Sequence, residues 1–307
     1  MRKIFLALTL FAAACGGSED RLSSSQPAIA LTGRAAEVAR DAVTPAKQYF
    51  ARYSAPSVGG TASFGSYAKG CLAGAQPLAE TGPTWQAMRL SRNRNWGAPQ
   101  LVSFVQRLSA QQAQQPGWEG IYVGDMSQPR GGPMASGHAS HQIGLDADIW
   151  LTPPKRLNLS VAEREALGAT DYSRVKGTQV TSGWTPQHSA LVKAAAKDPA
   201  VARIFIFPGA KIEMCRTAGA DRDWLRKVRP WWGHTAHMHV RLSCPAGMSG
   251  CSDQDAPPAG DGCAEAETWV KNILNPPPPD PNAPKPQPSR PLTLADLPAQ
   301  CAMLVAE

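Results

Sequence analysis

Two clusters of histidines set the strongest constraint on how this chain folds. Five of its six histidines fall into them, namely His138 and His141 in one and His234, His237 and His239 in the other. Neutral imidazole and carboxylate groups are the usual ligands of a catalytic Zn²⁺, with three protein ligands and a fourth position left for water. The clusters lie far apart in the sequence, so the fold must bring two distant segments together if they bind one ion.

The spacing within the second cluster suits a β-strand. Residues two apart on a strand point to the same side, so His237 and His239 share one face while Met238 points to the other. The alternative is that these are ordinary polar residues on an exposed face. The nearby His234 and the first cluster argue against that alternative.

The first cluster combines a loop residue with strand residues. A tight turn through Gly144 lets His141 and Asp148 converge on one ion. On a regular strand Asp146 faces the same side as Asp148 and is therefore the alternative metal ligand. We expect instead that Asp146 hydrogen-bonds a metal-binding side chain without binding the ion, or that it is solvated. His138 has no distinctive ligand spacing and neither has His234, so each can bind substrate, orient a ligand or line the cleft. His188, alone on a predicted helix, is expected to be a surface or capping histidine.

The first residues have the pattern of an export signal. A basic start and an apolar run predict a signal peptide over residues 1–14, too short to span a bilayer as a stable helix. Cys15 follows Ala12-Ala13-Ala14, which resembles the lipobox of bacterial lipoproteins, in which the cysteine is acylated. We expect Cys15 to carry a lipid, with simple cleavage after an Ala-x-Ala pattern as the alternative. Residues 15–57 are expected to form a largely flexible tether, with a helical hint over Ala35–Tyr53.

Seven cysteines in an exported chain leave one to explain. Acylation of Cys15 removes that one and leaves six, enough for three disulfides. Counting does not give their pairing, although Cys244–Cys251 is the simplest local pair. The proline-rich residues 276–291 predict an extended linker. We expect residues 292–307 to form a tail that a disulfide attaches to the main domain, which covers residues 58–275.

The remaining patterns predict an α+β fold. Helices are expected over Pro99–Ser109 and from Thr185-Pro186 to Lys197, and strands over Gly120–Gly124, Leu145–Leu151, Arg203–Phe207 and His237–Leu242. We expect one domain in which a small antiparallel sheet carries the zinc site, flanked by helices and long disulfide-stapled loops. The net charge of +7 is scattered without a lysine- or arginine-rich block, which argues against nucleic acid as a partner.

Other hydrolytic chemistries fit the sequence less well. No convincing Ser-x-x-Lys set with its companion motifs is present, and a cysteine nucleophile conflicts with disulfide pairing. Paired glycosidase carboxylates would leave the histidine clusters unexplained.

The flanking residues resemble a known family. His-x6-Asp with a later His-x-His is the zinc pattern of the lysostaphin, D-Ala-D-Ala metallopeptidase and sonic-hedgehog group. Within it, the chain is similar to the penicillin-insensitive murein endopeptidases from about Gly59 to Cys301. The blocks that carry the likeness are Ser-Arg-Asn-Arg-Asn-Trp (91–96), Gly-Asp-Met-Ser-Gln-Pro-Arg-Gly-Gly-Pro (124–133), Gly-His-Ala-Ser-His-Gln-Ile-Gly-Leu-Asp-Ala-Asp-Ile-Trp (137–150), Arg-Asp-Trp-Leu-Arg-Lys-Val-Arg-Pro-Trp (222–231) and His-Thr-Ala-His-Met-His-Val-Arg-Leu (234–242).

The resemblance implies a periplasmic zinc endopeptidase that cleaves D-alanyl–diaminopimelyl cross-links between peptidoglycan stem peptides. It implies His141, Asp148 and His239 as ligands and His237 as the catalytic histidine, with His138 and His234 lining the site. We therefore expect His138 beside the metal ligands and His234 beside the catalytic histidine. The implied disulfides are Cys71–Cys301, Cys215–Cys263 and Cys244–Cys251.

Two other functions stay open at this point. One is a carboxypeptidase that trims terminal D-Ala, and the other is a non-catalytic peptidoglycan-binding lipoprotein. A lipid on Cys15 departs from the family pattern and would tether the protein, with the outer membrane as the expected location. None of these features predicts an oligomeric state.

Overall fold

The structure is a computed structural model that describes residues 30–278, 280 and 290–307. The predicted signal peptide over 1–14 and the expected acylation of Cys15 lie outside the described residues, as does most of the linker predicted over 276–291. Within the described ranges, no helix is long and apolar enough to cross a membrane.

A six-stranded mixed sheet forms the centre of the fold. The strands of the described chain are β1 Ala62–Ser66, β2 Lys69–Ala73, β3 Gln76–Pro77, β4 Trp85–Ala87, β5 Trp96–Gly97, β6 Ile121–Val123, β7 Asp146–Trp150, β8 Ser173–Arg174, β9 Gln179–Val180, β10 Val201–Ile206, β11 Val228–Pro230 and β12 His237–Leu242. The central sheet has the strand order β11-β10-β12-β7-β6-β4. The pairs β10–β12, β12–β7 and β7–β6 are antiparallel, whereas β10–β11 and β6–β4 are parallel. The small antiparallel sheet expected from the sequence is therefore the centre of a larger sheet, whose outer pairs are parallel.

Helices pack around this sheet and confirm the α+β class. Within the described residues they are α1 Gly33–Ala39, α2 Ala46–Phe50, α3 Pro99–Gln112, α4 Val161–Ala166, α5 Pro186–Lys197, α6 Pro208–Thr217, α7 Cys263–Leu274 and α8 Ala299–Ala306. Proline occupies the first turn of α3 and α5, where its missing N–H costs nothing. The helix predicted over Pro99–Ser109 continues to Gln112, and the helix predicted to end at Lys197 does so.

The main hydrophobic core lies between the sheet and helices α3 and α5. Leu101 and Val105 of α3 and Leu191 of α5 are fully buried there, together with Ile149 of β7 and Val240 of β12. Because alternate strand residues face opposite ways, the other side of β7 and β12 is free to carry polar groups.

A second, smaller core joins both ends of the described chain. Phe50 of α2 is buried against the tail residues Leu294 and Leu304, beside the disulfide between Cys71 and Cys301. Residues 15–29 of the tether predicted over 15–57 lie outside the described residues. Its described end is held by this packing, because Phe50 gains free energy by leaving water. The helical hint over Ala35–Tyr53 corresponds to α1 and α2, which a break before Ala46 separates.

Three disulfides staple the outer elements. Cys71–Cys301 joins β2 to α8, Cys215–Cys263 joins α6 to α7, and Cys244–Cys251 closes a short loop after β12. These are the pairs that the family resemblance implies.

Candidate metal centre

The polar face of the β7–β12 pair positions most of the site. His239 lies directly opposite Asp148 in the antiparallel register, and Arg241 lies opposite Asp146. Met238, between the two histidines, is fully buried in the core. Strand alternation therefore places the histidines of β12 on the same side of the sheet as both aspartates of β7.

A loop before β7 brings the first histidine cluster to this face. His141 has a left-handed backbone conformation with φ of 66°, held by two hydrogen bonds. Its N–H donates to Asp146 Oδ2 at 3.0 Å, and its carbonyl accepts from Ser127 Oγ at 2.7 Å. Gly144 provides the expected turn with φ of 72°, where a Cβ would collide with the Leu72 side chain.

Three donor atoms form a nearly equilateral triangle. His141 Nε2 lies 3.2 Å from His239 Nδ1, and each of these nitrogens lies 3.4 Å from Asp148 Oδ1. Ligand atoms of a tetrahedral metal with bonds of ~2.0–2.1 Å are about 3.3–3.4 Å apart. The triangle therefore has the dimensions of one face of such a coordination sphere.

His138 approaches the same carboxylate from the cleft. His138, His141 and Asp148 form a group that could hold a metal ion, with ligand atoms within 4.8 Å of one another. His138 Nε2 faces the other oxygen of Asp148, Oδ2, at 3.4 Å, and lies closer to Asp125 Oδ2 at 3.1 Å. It is also partly exposed, unlike His141.

Two buried atoms at this centre lack a hydrogen-bond partner in the described chain, namely Asp148 Oδ1 and His141 Nδ1. An unpaired buried polar atom is costly, and a cation is one way to offset that cost for a carboxylate oxygen. Burial raises the pKa of Asp148, but the imidazoles of His141 and His237 outweigh it and hold that pKa well below its usual range. Asp148 is therefore ionised and available to a cation.

Asp146 supports the triangle from behind. Its Oδ1 lies 2.9 Å from His239 Nε2 and accepts from Arg241 Nε at 2.8 Å, while its Oδ2 accepts from the His141 backbone. Burial opposes ionisation, but Arg241 and His239 lower the pKa of Asp146 below its usual range. An ionised Asp146 binds the Nε2 proton of His239 and thereby leaves Nδ1 free as a ligand atom.

Sequence reasoning missed a third buried aspartate. Asp125 follows β6 and accepts from Arg94 Nη1 at 2.7 Å and from Arg92 Nη1 at 3.1 Å, besides facing His138. Burial raises its pKa, but His138 and the arginines lower it to about 2. Its position just after a predicted strand was the available signal. A similar signal existed for Arg241, which shares the strand face of His237 and His239.

The two remaining clustered histidines line the open side. His237 Nε2 lies 3.7 Å from Asp148 Oδ1, and its ring centroid is 5.0 Å from that of His234. Burial lowers the pKa of His237, and it lowers the pKa of His234 to about 4. His234 Nδ1 lies 2.6 Å from the Trp232 carbonyl, so it donates its proton there and leaves Nε2 as the acceptor. Both imidazoles are thus neutral near pH 7.

His188 lies outside the centre. Its Nδ1 accepts a hydrogen bond from the Thr185 backbone N–H at 3.0 Å and completes a capping box at the start of α5. His188 is therefore a capping histidine, which was one of the two expectations. It is not a surface residue, however, because it is buried among the rings of Trp118, Tyr172 and Trp184.

Comparison with known proteins agrees with this arrangement. The model of the penicillin-insensitive murein endopeptidase family matches residues 63–306. A penicillin-insensitive murein endopeptidase from Yersinia pestis bv. Antiqua is 49% identical over 229 residues, which cover 73% of this chain and 80% of that protein. One from Salmonella paratyphi A is 44% identical over 282 residues, covering 91% of this chain and 97% of that protein. The chain belongs to the family of penicillin-insensitive murein endopeptidases.

Proposed function

We propose that this peptidoglycan hydrolase is a zinc-dependent endopeptidase that cleaves D-alanyl–meso-diaminopimelyl cross-links. The observation that carries the metal dependence is the triangle of His141 Nε2, His239 Nδ1 and Asp148 Oδ1, whose edges are 3.2–3.4 Å. Two imidazoles and one carboxylate are a donor set typical of catalytic zinc. The choice of the bond follows from the family resemblance.

His141, Asp148 and His239 would hold the ion. Bound zinc supplies Lewis acidity, which polarises a scissile carbonyl and lowers the pKa of water to about 7. His138 stays on the cleft side, where its contact with Asp125 holds it close to the second oxygen of Asp148. There it can hydrogen-bond a substrate or approach the ion.

Proton transfer falls to the histidines of the open side. His237 is neutral near pH 7 because burial lowers its pKa, so it can accept a proton from the attacking water and pass it to the leaving amine. His234 presents its unprotonated Nε2 beside the ring of His237. It can therefore accept a hydrogen bond from His237 or from substrate. No serine is acylated in such a reaction, so a β-lactam has no nucleophile to trap.

A chelation experiment tests this function. The purified chain is incubated with cross-linked dimeric muropeptide, and new amino termini are measured before chelation, after chelation and after zinc addition. We expect cleavage to stop with the chelator and to return with zinc. Undiminished cleavage by the metal-free protein would contradict the proposal. Release of D-Ala from monomeric pentapeptide without cleavage of the dimer would favour a carboxypeptidase. Binding of murein without new amino termini would favour a non-catalytic peptidoglycan-binding lipoprotein.

We further propose that the protein works in the periplasm, anchored to the outer membrane through acylated Cys15. The apolar run before Cys15 and the odd cysteine count support this location. A Cys15→Ser variant should move from the membrane fraction to the soluble periplasmic fraction. Retention of that variant in the membrane would refute the lipid anchor.

A further inference from the structure

Three tryptophans form an aromatic surface next to the metal centre, which we call the tryptophan platform (Trp231, Trp232 and Trp269). Trp231 and Trp232 are 50% and 59% exposed, whereas most large apolar side chains of the described chain are covered. Their ring centroids lie 6.2 and 5.2 Å from that of Trp269 on α7. Exposed apolar groups of this size that lie side by side are typical of a binding surface.

The platform is rigidly connected to the site. Phe205 contacts Trp231 on one side and His239 on the other, with ring centroids 5.5 and 5.4 Å away. The N–H of Trp231 donates to the Ile206 carbonyl at 2.8 Å. The Trp232 carbonyl accepts from His234. A molecule lying on the platform therefore lies beside the residues of the metal centre.

Cationic residues border the platform. A cavity of about 280 Å³ is lined by Trp231 and Trp232 and by Arg174, Lys176 and Gly177 of the β8–β9 hairpin. In the described part of the chain, neither Arg174 nor Lys176 forms an ion pair. The ligand that fits must combine an apolar face for the indoles with anionic groups at one edge.

We propose that the tryptophan platform binds the glycan strand of murein, an inference that rests on the proposed function. The C–H faces of pyranose rings pack against indole faces, whose negative potential favours polarised C–H groups. The carboxylates of stem peptides on the same strand would then reach Arg174 and Lys176. The cavity beside Trp231 and Trp232 and the contacts that join these residues to the metal centre favour this polymer over a membrane surface, which would require projecting side chains.

If the tryptophan platform binds the glycan strand, the enzyme should prefer peptides that are still attached to sugar. The test compares kcat/KM for a sugar-bearing cross-linked muropeptide dimer with kcat/KM for the same peptide dimer after removal of its sugars. The native chain should prefer the sugar-bearing dimer by about five- to tenfold, the size expected of one or two aromatic contacts. A Trp232→Ala variant should lose most of this preference, and Trp232→Phe should keep part of it.

A matched control is Leu274→Ala. Leu274 is also an exposed apolar residue, at the end of α7, but it is not part of the platform. This variant should keep the full preference for the sugar-bearing dimer. Circular dichroism and thermal unfolding of each variant show whether it is folded. We expect Trp232→Ala to fold, because Trp232 is exposed and its removal loses little packing.

A binding measurement separates this proposal from the proposed function. N-acetylglucosamine tetramer is titrated into the metal-free protein while tryptophan fluorescence is recorded. We expect a saturable change that Trp232→Ala removes and Leu274→Ala retains, whether or not the protein cleaves murein. Equal kcat/KM on both dimers, together with no fluorescence change, would overturn the proposal. The proposal would also be overturned if the Trp232→Ala variant still bound the sugar but no longer self-associated or no longer bound anionic lipid vesicles.

Discussion

Replacing Asp146 with Asn tests whether the carboxylate behind the ligands shapes the metal centre. The substitution keeps the size of the side chain but removes its charge. Asp146 is fully buried and contacts His239, Arg241 and the backbone of His141. An amide has a single acceptor oxygen, so it cannot serve all of these donors.

Two separate magnitudes follow from these contacts. Arg241 has a side chain that is only 9% exposed and would lose its buried counter-ion, a change that costs about 3–5 kcal/mol in unfolding free energy. For a chain of this size that corresponds to a decrease in Tm of roughly 5–10 °C. Loss of the contact that orients His239 Nε2 should also weaken zinc binding by about 10- to 100-fold.

The two effects are measured separately. Thermal unfolding of the metal-free protein, followed by circular dichroism, gives the stability change, and competition with a chromophoric chelator gives the zinc Kd. Asp221→Asn is the matched control, because Asp221 is an exposed carboxylate paired with Lys193 and Lys197 and should alter neither quantity by much. If Asp146→Asn binds zinc as tightly as the native chain, then Asp146 does not orient the ligand and the reasoning is wrong.

Three further predictions concern other parts of the molecule. A His237→Ala variant should lower kcat by about 10²- to 10⁴-fold while the zinc Kd stays nearly unchanged, and an equal loss of zinc would instead make His237 a ligand. Replacing both Cys71 and Cys301 with serine should lower the unfolding free energy by about 5 kcal/mol, because the two cysteines are 230 positions apart, and should expose residues 290–307 to protease. An unchanged denaturant midpoint would contradict this prediction. Burial lowers the pKa of His188 from 6.5 to about 4, so between these pH values the unfolded chain binds more protons and stability should fall as the pH falls, by about 3 kcal/mol in total. His188→Gln should flatten the dependence of Tm on pH in that window, and a slope equal to that of the native chain would refute this assignment.

The parts of the fold that depend on local patterns could be predicted from the sequence. Proline in the first turn and an apolar stripe were enough to predict α3 and α5. Alternation was enough to predict β12, with His237 and His239 on one face. These features follow from residues within one turn or one strand of each other, so a linear sequence contains them.

What could not be predicted depends on contacts between distant segments. The position of Asp125 after a strand was visible in the sequence, but its role depends on Arg94 and His138, which only the fold places beside it. Phe50 looked like part of a tether because its tail partners, Leu294 and Leu304, are more than two hundred residues away. The platform residue Trp269 is similar, since only the packing of α7 brings it to Trp232.

The disulfide between Cys71 and Cys301 also constrains the order in which parts of the protein can form. It joins the β1–β2 hairpin to α8, and its two cysteines are 230 positions apart in the sequence. The bond can therefore close the second core, which contains Phe50, only after α8 has been made and the two cysteines have been oxidised. A product interrupted before Cys301 can build much of the histidine-bearing sheet but lacks this closure. Closure of the second core thus depends on α8, which lies outside the sheet that carries the metal centre.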